Sequence, residues 1–243
     1  MKFKKIFFLL ISLVLIIGLT FMVLKQPKLK SIFYSSYGVN IPAEIKILGI
    51  DVSHHQGKIN WKQVENMQIK GNSVQFVYLK VTEGTWFKDH KYNYNRKVLD
   101  KMPVKVGVYH FFSPKSNITK QVSHFTNSFK RTTLKPVLDV ETIGDLSKND
   151  LIQKVTQFLN ETEKRINVRP IIYTYESFYK DYIKGSSLEK EKFWIANYNK
   201  TCAVCKQSNV IAWQFSEKGT VNGIAEKVDL NMAKDNFWQH IIW

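Results

Sequence analysis

Pro136-Val137-Leu138-Asp139-Val140-Glu141-Thr142 is a short apolar run that turns acidic at its end. A run of this length and β-branched content reads as a buried strand. Alternate residues of a strand point to one face, so Asp139 and Glu141 project side by side, their Cα atoms about 6.5 Å apart. Cleavage of a glycosidic bond uses such a pair. One carboxyl group must stay protonated to supply the leaving oxygen, the other must stabilise or trap the cationic carbon, and crowding pushes their pKa values apart. Acid-x-acid at a strand end also serves metal sites and helix caps, so its surroundings have to decide.

Seven further runs share this rhythm, at 47–52, 76–81, 104–111, 169–173, 193–197, 210–215 and, weakly, 227–230. Helical segments fall between the earlier ones: 61–69 with Asn60 as N-cap, 92–101, 118–130, 148–166 capped by Ser147, and 175–183. Such alternation predicts an α/β fold, a mostly parallel sheet closed into a barrel. No clear helices separate the last strands, so the expected form is a modified, irregular β/α (TIM-like) barrel, preceded by an N-terminal transmembrane segment.

Barrel enzymes keep their chemistry at the C-terminal ends of the strands. At or just past those ends lie Asp51, Glu83, Tyr109, His110, Asp139, Glu141, Tyr173, Asn197, Gln214 and Asp229. Acids from several strands with aromatic rings among them suit a carbohydrate cleft, carboxylates for chemistry and flat rings for the apolar faces of sugars. Trp61 and Trp213 read as core instead, since large aromatics mostly serve burial.

At this point several motifs in order carry a family resemblance. Gly49-Ile50-Asp51-Val52-Ser53-His54-His55-Gln56-Gly57 with Ile59-Asn60-Trp61, then Lys80-Val81-Thr82-Glu83-Gly84, Val108-Tyr109-His110-Phe111, Asp139-Val140-Glu141, Trp194-Ile195-Ala196-Asn197-Tyr198 and Trp213-Gln214-Phe215 resemble the lysozymes of glycoside hydrolase family 25. The resemblance implies an N-acetylmuramidase that hydrolyses the β-1,4 bond between N-acetylmuramic acid and N-acetylglucosamine in peptidoglycan. It makes Glu141 the general acid and Asp139 the group that orients or stabilises the substrate's 2-acetamido group, if that group attacks its own anomeric carbon. A plain two-carboxylate mechanism is the alternative. Asp51 and Asp229 match acids that line the family's cleft, and Tyr109, Tyr173, Trp194, Gln214 and Glu83 are carried over as substrate-binding. Glu83 reads equally as an ion-pair partner for a lysine. Asn60 stands where the family often has an acid, and Val81 where it often has alanine. A catalytically weak glycan-binding protein of the same fold is the competing class, though a pure binder has no need of a protonatable acid beside a second carboxylate.

Composition bounds the remainder. The 243 residues carry a formal net charge of +16, with six lysines before Ser31. A basic surface draws a protein toward anionic polymers such as cell-wall material. Nucleic acid is not an expected partner, because no basic helix sits in a DNA-binding motif and no aromatic RNA-binding signature occurs. His54 and His55, adjacent on an extended segment, point to opposite faces and lack a third ligand, so no metal and no other cofactor is expected. Cys202 and Cys205 fall in a loop and suggest a short loop-closing disulfide outside the cytoplasm, with two reduced thiols as the alternative.

Residues 6–24 are apolar and uncharged, follow Lys2, Lys4 and Lys5, and are long enough to span a bilayer. No small-residue cleavage site follows, which favours an uncleaved anchor over a signal peptide. The expected organisation is therefore 1–25 as membrane anchor or signal segment, 26–46 as linker and 47–243 as catalytic domain. Since peptidoglycan lies beyond the membrane, the domain is expected in the periplasm or at the cell surface, or secreted if the segment is cleaved.

Overall fold

The structure is a computed structural model that describes residues 31–34, 37–69, 71–199 and 201–243. The expected membrane segment lies outside the described residues, and among those described no helix is long and apolar enough to cross a membrane.

Eight strands follow one another around a closed barrel: β1 (Ile47–Val52), β2 (Asn72–Glu83), β3 (Lys105–Phe111), β4 (Val137–Asp139), β5 (Ile171–Tyr175), β6 (Phe193–Ala196), β7 (Val210–Gly219) and β8 (Val228–Ala233). Strands β1 to β7 run parallel, and β8 closes the ring antiparallel to both β7 and β1. Parallel neighbours need a long crossover, whereas the few residues between β7 and β8 allow only a hairpin. The missing late helices therefore reverse the last strand. The crossovers carry helices α1 (Trp61–Glu65), α2 (Tyr92–Leu99), α3 (Ile118–Thr126) and α4 (Lys148–Ile166), with α5 (Phe237–Ile241) after the barrel.

Two apolar layers follow from the period of two along each strand. One set of side chains, including Leu48, Ile50, Val77, Leu79, Val108, Leu138 and Ile172, faces the helices. The other set fills the barrel, with Phe76, Tyr78, Val137, Ile171, Trp194 and Ile211 among it, and Phe237 of α5 packs against Phe76. Two glycines make room for the largest rings: a Cβ on Gly49 would lie 2.1 Å from Cζ of Phe76, and one on Gly107 would lie 2.2 Å from Cε1 of Tyr78. The lower barrel is thus a packed core, and only its C-terminal mouth remains open.

Several boundaries differ from expectation. The helix expected at 61–69 stops at Glu65, and Gln68–Ile69 forms a short antiparallel pair with the start of β2 through Gly71, whose φ of 78° suits glycine. The strand expected at 169–173 starts at Ile171, because Pro170 has no N–H to give the ladder. Helix α4 has the expected span, with Ser147 accepting from the Asp150 N–H and Asn167 ending it in the left-handed region. Trp61 and Trp213 are buried as expected. Part of the stretch expected as linker is built into the domain: Ser31–Tyr34 pairs with Val39–Pro42, and Tyr37, Ile41 and Ile45 are buried in the outer core. Cys202 and Cys205 form a disulfide in the β6–β7 connection. His110 lies not at the rim but between barrel and helices, stacked on Phe158 and held by Thr82 and Gln121, with burial lowering its pKa to about 3.

Candidate active site

Every barrel strand sends at least one side chain to the same open cleft of about 260 Å³, among them Asp51 from β1, Lys80 from β2, Tyr109 from β3, Asp139 from β4, Tyr173 from β5, Trp194 from β6, Gln214 from β7 and Asp229 from β8. Glu141 joins them from just beyond β4, since that strand ends at Asp139 rather than reaching Glu141. Eight of the nine positions expected from sequence line this cleft. Glu83 does not line the cleft, and its Oε2 takes the Lys80 ammonium at 2.7 Å. Trp194 is buried, packs on Tyr78 and Tyr173, and gives its Nε1–H to Asn231, so it supports the floor of the cleft.

Antiparallel pairing of β8 with β1 sets Asp229 directly opposite Asp51. Like charges in that position repel, and a proton resolves the conflict. Asp51 accepts amide hydrogens from Gln214 at 3.0 Å and Asn231 at 2.7 Å. Burial still raises its pKa, with these donors opposing the rise. Asp229 lacks that support, and burial together with the charge of Asp51 pushes it up to about 9. The sign of the linked stability follows. An acid with a folded pKa near 9 and an unfolded value of 3.8 contributes stability in full below the lower value and loses it as pH rises through the higher. Asp229→Asn keeps a donor for Asp51 and removes this cost. It is expected to raise Tm by about 2–6 °C at pH 7 and to leave it unchanged near pH 3, as thermal unfolding followed by circular dichroism would show.

The second pair is Asp139 and Glu141. They share a hydrogen bond, and burial raises the pKa of both. No N–H or hydroxyl reaches the buried Oδ1 of Asp139, so nothing favours its charged form as the two amides favour that of Asp51. Its pKa lies well above the carboxylate range, through burial first and the charge of Glu141 next. Glu141 is the more open of the two and also bonds the Tyr175 hydroxyl. Nearby Lys80 draws both values down, with its ammonium 4.9 Å from the Phe111 ring centre. One proton on the pair satisfies these opposing demands.

A hydrogen-bond chain fixes the first pair. Tyr173 and Tyr198 both donate to Gln214 Oε1, at 2.8 and 2.7 Å, which turns the amide nitrogen of Gln214 toward Asp51. Asn231 is fixed in the same sense by Trp194. Tyr109 is half-buried beside the acids, and burial with their charges keeps its phenol neutral. Residues that sequence reasoning left out of the site include Lys80, Tyr175, Tyr198 and Asn231. Inward alternation along β2, β5 and β8 would have found Lys80, Tyr175 and Asn231. Tyr198, in a loop, has no such signal. His54 is turned away from the acids, with its Nδ1 2.9 Å from Asp89 Oδ2, and among the described residues no cluster of His, Cys, Asp or Glu is arranged as a metal site.

Comparison with known proteins agrees with this geometry. Residues 50–224 match Glycosyl hydrolases family 25. The uncharacterized protein YegX of Escherichia coli O6:H1 is 35% identical over 81% of this chain and 73% of its own length. Lysozyme M1 of Streptomyces globisporus is 31% identical over 76% of this chain and 67% of its own. A family 25 glycosyl hydrolase from Bacillus anthracis superposes with a TM-score of 0.71 at 25% identity, covering 82% of this chain and 95% of that one. An acid-lined mouth on an eight-stranded barrel with a reversed last strand, and relatedness over most of its length, make this chain a member of glycoside hydrolase family 25.

Proposed function

We propose that the protein is a peptidoglycan hydrolase of the muramidase type, cleaving the β-1,4 bond between N-acetylmuramic acid and N-acetylglucosamine. The observation that carries the reading is the hydrogen-bonded Asp139–Glu141 pair in an open cleft, with one oxygen of Asp139 lacking a donor. Lysozyme M1, a relative named for that activity, supports the substrate class.

In this reading Glu141 protonates the leaving oxygen. In the empty cleft burial favours the proton on Asp139, and a bound sugar changes that balance. An acetamido N–H directed at the donorless Asp139 oxygen stabilises the carboxylate, and the shared proton passes to Glu141. Asp139 then steadies the acetamido group as its oxygen closes on the anomeric carbon, and water opens the ring that results. Asp51 and Asp229 surround the developing positive charge, while Tyr109, Tyr173 and Gln214 shape the cleft. The enzyme acts outside the cytoplasm, held at the membrane by segment 6–24, and its basic surface favours anionic wall polymers.

The test is release of reducing ends from purified peptidoglycan, with the new termini identified by mass spectrometry. Reducing N-acetylmuramic acid is the expected product, and the rate should fall on the alkaline side as pH passes the raised pKa of the pair and its proton is lost. Binding without release would instead favour the glycan-binding protein, and N-acetylglucosamine termini would point to a different amino-sugar hydrolase.

A further inference from the structure

Trp86 is the most exposed large apolar side chain among the described residues, with 80% of its surface open. Its indole offers solvent a broad flat apolar face, the kind of surface on which the apolar side of a sugar ring stacks. Its loop is well fixed. Phe87–Lys88 pairs back on the end of β2, the Gly84 N–H bonds Phe111 O, and the Asp89 N–H bonds Val81 O. The indole meets the Phe87 ring edge-on at 6.0 Å. Phe87 in turn sits against the cleft wall, 5.6 Å from the Lys80 ammonium on one side and 5.3 Å from the His54 ring on the other. Asp89 holds His54 through its Nδ1 and its backbone N–H, and His55, whose ring lies tilted against that of His54 at 4.1 Å, lines the cleft. The platform that carries Trp86 is thus continuous with the cleft wall.

Barrel order gives this a direction. Trp86 follows β2 and Tyr198 follows β6, and in a ring of eight consecutive strands these two lie diametrically opposite. Strands β4 and β8, carrying Asp139 and Asp229, lie opposite on the crossing diameter. Tyr198 is itself 39% exposed at the cleft. An extended chain laid from one exposed ring toward the other passes between the two acid pairs.

We propose that Trp86 is an outlying sugar-binding platform, stacking on the apolar face of a pyranose in a long glycan strand beyond those held in the central cleft. The proposal rests on the muramidase reading of the same cleft. It explains how a shallow mouth grips a polymer: contact is made at a distance from the reacting bond. Trp86 lies outside the hydrophobic core, so its replacement leaves the fold intact.

Full-length protein carrying Glu141→Gln, so that glycan is not consumed, would be titrated with peptidoglycan-derived oligomers one and several disaccharide repeats long. The same titration would follow with Trp86→Ala and with Trp86→Tyr added. Trp86→Ala is expected to shrink the preference for long over short oligomers at least about fivefold, and Trp86→Tyr to restore much of it. An unchanged preference would overturn the proposal. So would equal weakening for both lengths, which would mean a disturbed central cleft, or a loss confined to binding of anionic lipid vesicles, which would make Trp86 a membrane contact. Failure of the muramidase reading is distinct: the protein with Glu141 intact would then release no reducing ends from these oligomers, whatever Trp86 contributes to binding.

Discussion

Replacing Glu141 by glutamine is expected to lower kcat on peptidoglycan about a thousandfold while leaving glycan binding nearly unchanged. The amide is close to the carboxyl in volume and keeps a partner for the Tyr175 hydroxyl, but it has no proton to give to a leaving oxygen. Stability moves the other way from activity. Burial raises the pKa of Glu141 in the folded protein, so its linked stability is lost as pH climbs from the unfolded value through the folded one. A neutral residue escapes that loss, and Tm at neutral pH should not fall. The measurement is single-site kinetics on purified peptidoglycan beside a pull-down of the same material. Near-normal turnover in the variant would remove Glu141 from the reaction.

Gly107→Ala should cause a large loss of stability while leaving the cleft residues themselves untouched. The added Cβ falls within the Tyr78 ring, which cannot swing aside. Tyr78 is buried against Trp194 and Phe76, and its hydroxyl bonds Lys135 O at 3.0 Å. Overpacking of this kind costs about 3 kcal/mol, a drop in Tm of roughly 6–12 °C. Tyr78→Leu frees the space, so the double variant should be less destabilised than the sum of the single ones, a coupling that thermal or urea unfolding can read. Additive losses would show that the backbone at Gly107 yields instead. Because Trp194 leans on Tyr78 and holds Asn231, which bonds Asp51, the single change should also reach the acids at the mouth.

Relatedness and chemistry meet in different parts of the chain. The acids belong to short strand ends where local pattern is strong, and so Asp51, Asp139, Glu141 and Asp229 could be named before any coordinates. What they do to one another could not. Asp229 and Asp51 are neighbours only because β8 turns back along β1, and whether β8 would run parallel or antiparallel was not legible in the weak run at 227–230. Glu83 read equally as a cleft acid and as an ion-pair partner for a lysine, and only the fold chose the second, since its side chain at the end of β2 turns to Lys80. Inward alternation placed Trp194 at the cleft, and only the fold shows that it also packs on Tyr78 and holds Asn231.

Local information in the chain determined what period and composition determine: eight apolar strand cores, a capped helix over Lys148–Ile166, the inward parity of each strand, and the residue types that reach its end. Side-chain period is a property of a few consecutive residues, and it survives whatever those residues pack against. Tertiary structure alone decided the electrostatics. Which acid is ionised depends on donors and charges brought from distant strands, such as Gln214 and Asn231 to Asp51, and on how deeply each carboxyl is buried. Such terms act across space, fall steeply with distance and depend on the medium between, so no spacing along the chain can stand in for them.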